Sequence, residues 1–297
     1  MKKLSEARET LERENLRRVN MTDPESRLMQ DSHRIIQPSY NGQIAVDEKE
    51  QVIVASDITQ ETTDHHELIK MVEAVEQNLG ALPKEASADA GYSSYENLEY
   101  TGQRGLDAYI PDDFFVALDK KDKSEKMYHK SNFHYDQTRD VYICPEGRNL
   151  KRYQEMKRKG KQPLVIYRGK FCKGCAVKEE CTTGPARRIT RDGRENLVEV
   201  MREKLRSEKG REIYKKRLYT VEPVIGNLKW NRRRIMMSLR GLEKVRGEFS
   251  LMCLVHNVKK ITKKALEGPL SQFRRKTLEV PRSGDWLREM MIVQVQA

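Results

Sequence analysis

Residues 86–111, ASADAGYSSYENLEYTGQRGLDAYIP, set the tightest constraint on the fold. The spacing predicts a short strand ending at Asp89, a tight turn at Gly91, a helix capped by Ser93 with Glu96, and a second strand from Leu106 to Ile110. Two short strands joined through a helix belong to an α/β sheet. Open sheets of this kind bind ligands outside the carboxyl ends of their strands, which is where Asp89 falls.

The flanking segments extend that sheet. YNGQIAVDEKEQVIVASDIT, residues 40–59, alternates and is β-branched on both sides of a polar break, so it reads as a hairpin. Asp64 with Glu67 resembles a capping box that opens a helix running to about Leu79, with Leu68, Ile69, Val72 and Val75 at helical spacing. Residues 2–20 read as a polar helix, and TDPESR, residues 22–27, as a capped turn. Residues 119–130 are a lysine-rich linker. Helical patterning returns near Glu195 and continues through Val221–Lys260. The tail after Glu267 is basic, broken by Pro and Gly, and reads as loosely held. These shifts divide the chain into an amino-terminal helix (1–20), a first part of the core (21–115), a linker with a cysteine-bearing insertion (116–190), a second part of the core (191–266) and a basic tail (267–297).

Charge is distributed unevenly. The formal net charge is +12, but residues 1–143 carry 18 Lys and Arg against 28 Asp and Glu, and the remainder carries 39 against 17. A basic second half suits a polyanion, and nucleic acid is the commonest one. No apolar run is long enough to span a membrane, and the charged first residues lack the apolar stretch of a signal peptide. The expected location is the cytoplasm.

Four of the five cysteines lie in the insertion. Cys172, Cys175 and Cys181 come from FCKGCAVKEEC, and Cys144 from YICPEG. Four thiols with one CxxC pair fit tetrahedral zinc; reduced free thiols and an iron–sulfur cluster are the other readings. Cys253, in an apolar run, reads as core.

RLYTVEPVIGNLKWNRRR, residues 217–234, holds one acid, Glu222, among basic side chains. Pro223 suits the first turn of a helix, so Glu222 alone reads as a helix-start carboxylate favoured by the macrodipole. Asp89 alone reads as a turn residue. Taken together, two carboxylates with arginines and a lysine beside them match what phosphoryl-transfer chemistry requires: oxygen ligands for Mg²⁺ and cations for the phosphates. His65 and His66 read as exposed residues of a first helical turn, with metal ligation as the other reading. Trp230 reads as a sheet-packing or base-stacking ring.

The chain resembles the carboxy-terminal part of a bacterial insertion-sequence transposase of the DDE type, in the ribonuclease-H-like superfamily. The likeness is carried by TDPESRLM (22–29), YNGQIAVD (40–47), ADAGYSSYENLE (88–99), and the Tyr214, Arg217, Glu222 and Lys229 pattern, which is similar to a tyrosine–arginine–glutamate–lysine signature. The Arg217-to-Glu222 gap is one residue longer than the usual pattern. The resemblance implies an α/β, ribonuclease-H-like mixed sheet with flanking helices, interrupted by the cysteine-bearing insertion. It implies Asp89 and Glu222 as catalytic ligands of Mg²⁺ or Mn²⁺, and DNA contacts by Tyr214, Arg217 and Lys229. Arg232 and Arg233 extend that basic run. The implied reaction is DNA strand cleavage and transfer on double-stranded DNA, carried out by a homodimer. The first catalytic aspartate of such enzymes lies on a core strand preceding residues 40–59, and nothing in residues 1–20 reads as that strand. Asp23 sits in a turn and substitutes for it poorly. The expectation is a truncated transposase, with a non-catalytic zinc-bearing DNA-binding protein or a metal-dependent nuclease as rivals.

Overall fold

The structure, a computed structural model, describes residues 2–30, 34–120, 127–231, 236–267 and 289–296. It falls into two compact units, one formed by Met1–Ile110 with Lys204–Ala297 and the other by Pro111–Glu203.

In chain order the elements are α1 (Lys2–Arg13), β1 (Arg27–Gln30), β2 (Ile36–Ser39), β3 (Asn41–Asp47), β4 (Ile53–Thr59), α2 (Glu67–Leu79), β5 (Glu85–Ala88), α3 (Tyr95–Gln103) and β6 (Asp107–Tyr109). Then follow α4 (Asp113–Lys120), β7 (His134–Asp136), β8 (Val141–Ile143), β9 (Asn149–Arg158), β10 (Lys161–Gly169), α5 (Lys178–Cys181), β11 (Arg188–Asp192) and α6 (Glu195–Arg206). The last are α7 (Glu208–Gly226), a π-helical turn over Asn227–Asn231, α8 (Leu242–Glu267) and β12 (Glu289–Gln296).

The first unit is built on a mixed sheet of order β4-β3-β12-β5-β6. The 40–59 hairpin and the strand–helix–strand unit form as the spacing predicts. Between them lies β12, antiparallel to β3 and parallel to β5. This corrects the reading of the tail as loosely held throughout. The facing edges of β3 and β5 would each leave a row of backbone donors and acceptors unpaired, and one strand between them satisfies both.

Side chains alternate across β3. Ile44 and Val46, fully buried, join Val221, Val224 and Leu228 of the α7 region and Val245, Phe249 and Cys253 of α8 in one apolar cluster. Cys253 is a core residue, as its apolar context indicated. α2 contributes buried Leu68, Met71, Val72 and Val75.

Three local expectations are corrected, and one element not anticipated is found. The first helix ends at Arg13, and Asn15 takes a positive φ of 52°. β1 and β2 pair antiparallel, Arg27 opposite Ser39 and Gln30 opposite Ile36. α3 is capped by Ser94, whose hydroxyl accepts from Asn97 N–H, and not by Ser93 with Glu96. Asp64 builds no capping box, because its carboxylate accepts instead from the Asn41 and Gln43 side-chain amides.

Pro223 lies inside the 19-residue α7, not in a first turn. A proline there deprives the carbonyl four residues back of its helical donor. That carbonyl, on Tyr219, accepts from the Gln51 side chain at 2.6 Å. Burial of Val221 and Val224 holds the helix on the core through the defect.

The second unit contains an antiparallel sheet of order β11-β10-β9-β8-β7. One face packs Phe133, Tyr142, Leu150, Tyr167 and Ile189 together. Tyr135, Tyr142 and Tyr167 contact one another with ring centroids 5.1 to 5.9 Å apart.

Candidate active site

Asp89 follows β5 directly, and its carboxylate accepts from Ala90 N–H at 2.6 Å, opening a one-turn 3-10 helix. Glu222 comes from the middle of α7, so the helix-start explanation of this residue is withdrawn. Its neighbours Val221 and Val224 point into the core, which leaves the glutamate outward and half exposed at 46%.

Arg217 joins the two acids. Its Nη1 lies 3.4 Å from Asp89 Oδ2 and 3.5 Å from Glu222 Oε1. One nitrogen within reach of both places those two oxygens less than about 7 Å apart, although Asp89 and Arg217 are 128 positions apart in the chain. The Arg217 side chain is only 15% exposed and its guanidinium lies 5.5 Å from the Tyr214 ring centroid. Lys229, half buried on the π-helical turn, feels Glu222 as well. Desolvation lowers its pKa and the glutamate charge pulls it back up. Tyr214, Arg217 and Glu222 thus form one contact group with Asp89, and Lys229 is near enough to feel the glutamate charge. Arg232 and Arg233 lie outside the described residues, as does the side chain of Trp230.

A second carboxylate system stands behind Asp89. Asp64 is 5% exposed; its Oδ1 accepts from Asn41 Nδ2 at 2.8 Å and Gln43 Nε2 at 2.9 Å. Its Oδ2 comes so close to the backbone of Gly91 that a Cβ there would sit 2.7 Å away, which explains the glycine two residues after Asp89. Burial raises the Asp64 pKa above the ordinary carboxylate value; the two amides oppose the shift and the Asp89 charge adds to it. Sequence reasoning missed this role. The signal was the polar pair Asn41 and Gln43, both fully buried, inside an otherwise apolar strand.

Asp23 is a latch between segments. It is buried, accepts from Tyr40 Oη at 2.9 and 3.0 Å, and accepts from Gly241 N–H at 3.2 Å. On β12, Ile292 pairs with Ala88, the residue before Asp89. The only acid in that strand is Glu289, which pairs with Glu85 at the opposite end.

Residues 143–262 match the family model for the transposase DDE domain. Over that stretch the chain is similar to the transposase DDE domain. The match takes in Glu222, the Tyr214 to Lys229 signature and all four insertion cysteines, and stops short of Asp89. No curated protein and no solved structure matches the chain.

The four cysteines Cys144, Cys172, Cys175 and Cys181 line one small cavity of about 30 Å³ in the second unit. Cys144 Sγ accepts from Arg148 N–H at 3.3 Å across a turn in which Gly147 takes a φ of 72°. Burial pushes the Cys181 thiol pKa up; Arg187 opposes this, and the other three cysteines reinforce it. Among the described residues no group of three or more His, Cys, Asp or Glu is arranged to hold a metal ion. The same residues contain no helix long and apolar enough to cross a membrane.

Proposed function

We propose that the chain acts in DNA transposition as a DDE-type transposase with a ribonuclease-H-like core, cutting and joining double-stranded DNA as a cytoplasmic homodimer. The observation that carries this reading is the convergence of Asp89 and Glu222 on one cation, the Arg217 guanidinium, at the carboxyl edge of the sheet. Two half-exposed carboxylates suit Mg²⁺, which keeps most of its water and takes one or two protein oxygens. Asp89 and Glu222 would hold the ion, which when bound supplies charge stabilisation to a phosphoryl group in displacement. Tyr214, Arg217 and Lys229 line the same edge, where they bind and orient the phosphates of the strand.

Among the described residues two carboxylates meet at Arg217, and β12 adds none beside Asp89. We therefore expect weak metal affinity and weak cleavage. The direct test is Mn²⁺ binding followed by electron paramagnetic resonance. Glu222→Gln and Asp89→Asn should each abolish it while the fold, read by circular dichroism, stays intact. Undiminished Mn²⁺ binding in both variants would remove the carboxylate pair from the site.

The cysteines support a further part of the reading, a structural zinc bound by Cys144, Cys172, Cys175 and Cys181. Their shared cavity brings the four side chains to one place, and the N–H donated to Cys144 favours a thiolate on that residue. Protein prepared without chelator should contain close to one zinc per chain, falling to none in Cys172→Ser with Cys175→Ser. Metal-free protein with all four thiols freely alkylated would end this part of the reading without touching the carboxylate site.

A further inference from the structure

The outer face of the β9–β10–β11 sheet carries an arrangement that packing does not explain. The register places Lys151 opposite Arg168, and Arg168 opposite Arg188. Directly paired residues share a face, so three cations stand in one cross-strand row. Like charges in that position destabilise a sheet. The nearby acids do not relieve the row, because Asp140 and Glu155 pair with Arg152.

Beside the row stands an aromatic ring. The register of β9 against β10 steps from Arg152 opposite Tyr167 to Gln154 opposite Ile166, leaving Tyr153 as the unopposed residue of a β-bulge. Bulges re-aim side chains. The Tyr153 ring lies 5.1 Å from the Arg168 guanidinium and 5.9 Å from that of Arg188, yet its residue is 54% exposed. At the other end of the row Lys151 enters an open groove of about 520 Å³, also lined by Arg148, Lys170 and Phe171. Phe171 is 71% exposed. The opposite face of the sheet is filled by its own aromatic core, so neither ring is needed there.

We propose that this face is a binding site for single-stranded DNA. A row of cations that repel one another in the free protein becomes favourable against a phosphate backbone, with release of counterions. Duplex DNA would satisfy the cations but not the rings, since its bases are stacked on each other. Unpaired bases expose their faces, and two outward aromatic rings flanking a basic track are the surface on which such bases stack. The track is independent of Asp89 and Glu222 and stands whether or not those residues hold an ion.

The test uses the full chain and a fluorescein-labelled oligo-dT of about 20 nucleotides in an anisotropy titration. Tyr153→Ala with Phe171→Ala should weaken binding about ten-fold or more, from the loss of ring stacking. Tyr153→Trp with Phe171→Trp should restore it. Lys151→Ala with Arg168→Ala should weaken binding and flatten the dependence of log affinity on log salt by about 1.4, or 0.7 per lost phosphate contact. Lys151, Tyr153 and Arg168 lie on the outer sheet face and Phe171 on the exposed turn after β10, and circular dichroism checks that the fold is kept. Unchanged affinity in the double-alanine ring variant would overturn the proposal. So would an equal loss on a duplex of the same length, which would make the face a duplex-phosphate surface.

Discussion

Asp64 and Asp89 stand at the same edge of the same sheet, and their surroundings differ in nearly every respect. Asp64 is buried, held by two amides and pressed against Gly91. Asp89 is 43% exposed, caps one turn, and shares a single guanidinium nitrogen with Glu222. A buried carboxylate with one oxygen held by two amides and the other against Gly91 offers little room to a ligand. One whose principal partner is a movable cation keeps its capacity. The contrast assigns Asp64 to holding the edge in shape and Asp89 to what binds there, and each assignment can be broken separately.

The largest effect is expected at Asp64. Asp64→Ala would leave the Asn41 and Gln43 amides in a buried site without their principal acceptor. A buried donor left unpaired costs roughly 1 to 3 kcal/mol, so the loss should be about 3 kcal/mol in urea unfolding. Because Gly91 rests on the same carboxylate, Asp89 should also become less well placed. A variant as stable as the parent would show that the amides find other partners and that Asp64 is dispensable.

Next in size is Arg217. Its guanidinium occupies the space between the carboxylates that a divalent ion would share, so protein cation and metal compete for the same oxygens. Arg217→Gln should therefore bind Mn²⁺ more tightly, by about ten-fold, equivalent to about 1.4 kcal/mol. Its grip on DNA phosphates should fall at the same time. Weaker Mn²⁺ binding in Arg217→Gln would mean that the arginine organises the carboxylates for the ion.

These two acids also mark how far the sequence could be read. The hairpin, the strand–helix–strand unit and the position of Asp89 at a strand end follow from local alternation and turn chemistry, which need no knowledge of distant residues. The convergence of Glu222 on Asp89 was accessible only through the family likeness. Its local setting was misread because Pro223 signals a helix start when seen alone. What overrides the signal is Gln51, far away in sequence, donating to the stranded Tyr219 carbonyl. The insertion sheet was hidden for a different reason. β9 is exposed at nearly every position after Leu150, so it has no apolar alternation to detect. β12 carries a short apolar run, Met290 to Val293, but its place depends on two edges far from it in sequence.

A smaller effect belongs to pH. Burial raises the folded-state pKa of Asp64 above the ordinary carboxylate value. The folded chain then holds this proton at a pH where the unfolded chain has released it. The contribution of Asp64 to stability is most favourable below the ordinary carboxylate pKa. It declines as pH rises from that value to the raised folded one, and is level above it. The slope from one group cannot exceed about 1.4 kcal/mol per pH unit. Asp64→Asn has no proton to release there, so the difference in stability between parent and variant should follow that decline. A difference that stays constant across the acid range would show that the amides offset the burial completely.

The smallest change should come from Asp89→Asn. The asparagine oxygen can still accept from Ala90 N–H, so the cap survives, and Asn is as good an N-cap as Asp. What is lost is one charge of a half-exposed pair with Arg217, and pairs open to solvent contribute about 0 to 1 kcal/mol. The guanidinium retains Glu222 as a partner. Stability should therefore move by less than about 0.5 kcal/mol in the same urea titration in which Asp64→Ala loses about 3. Mn²⁺ binding should reverse that order, disappearing in Asp89→Asn. If instead Asp89→Asn unfolds as easily as Asp64→Ala, both acids are structural. The cation between Asp89 and Glu222 would then be a permanent cross-link between β5 and α7 and not a place held for an ion.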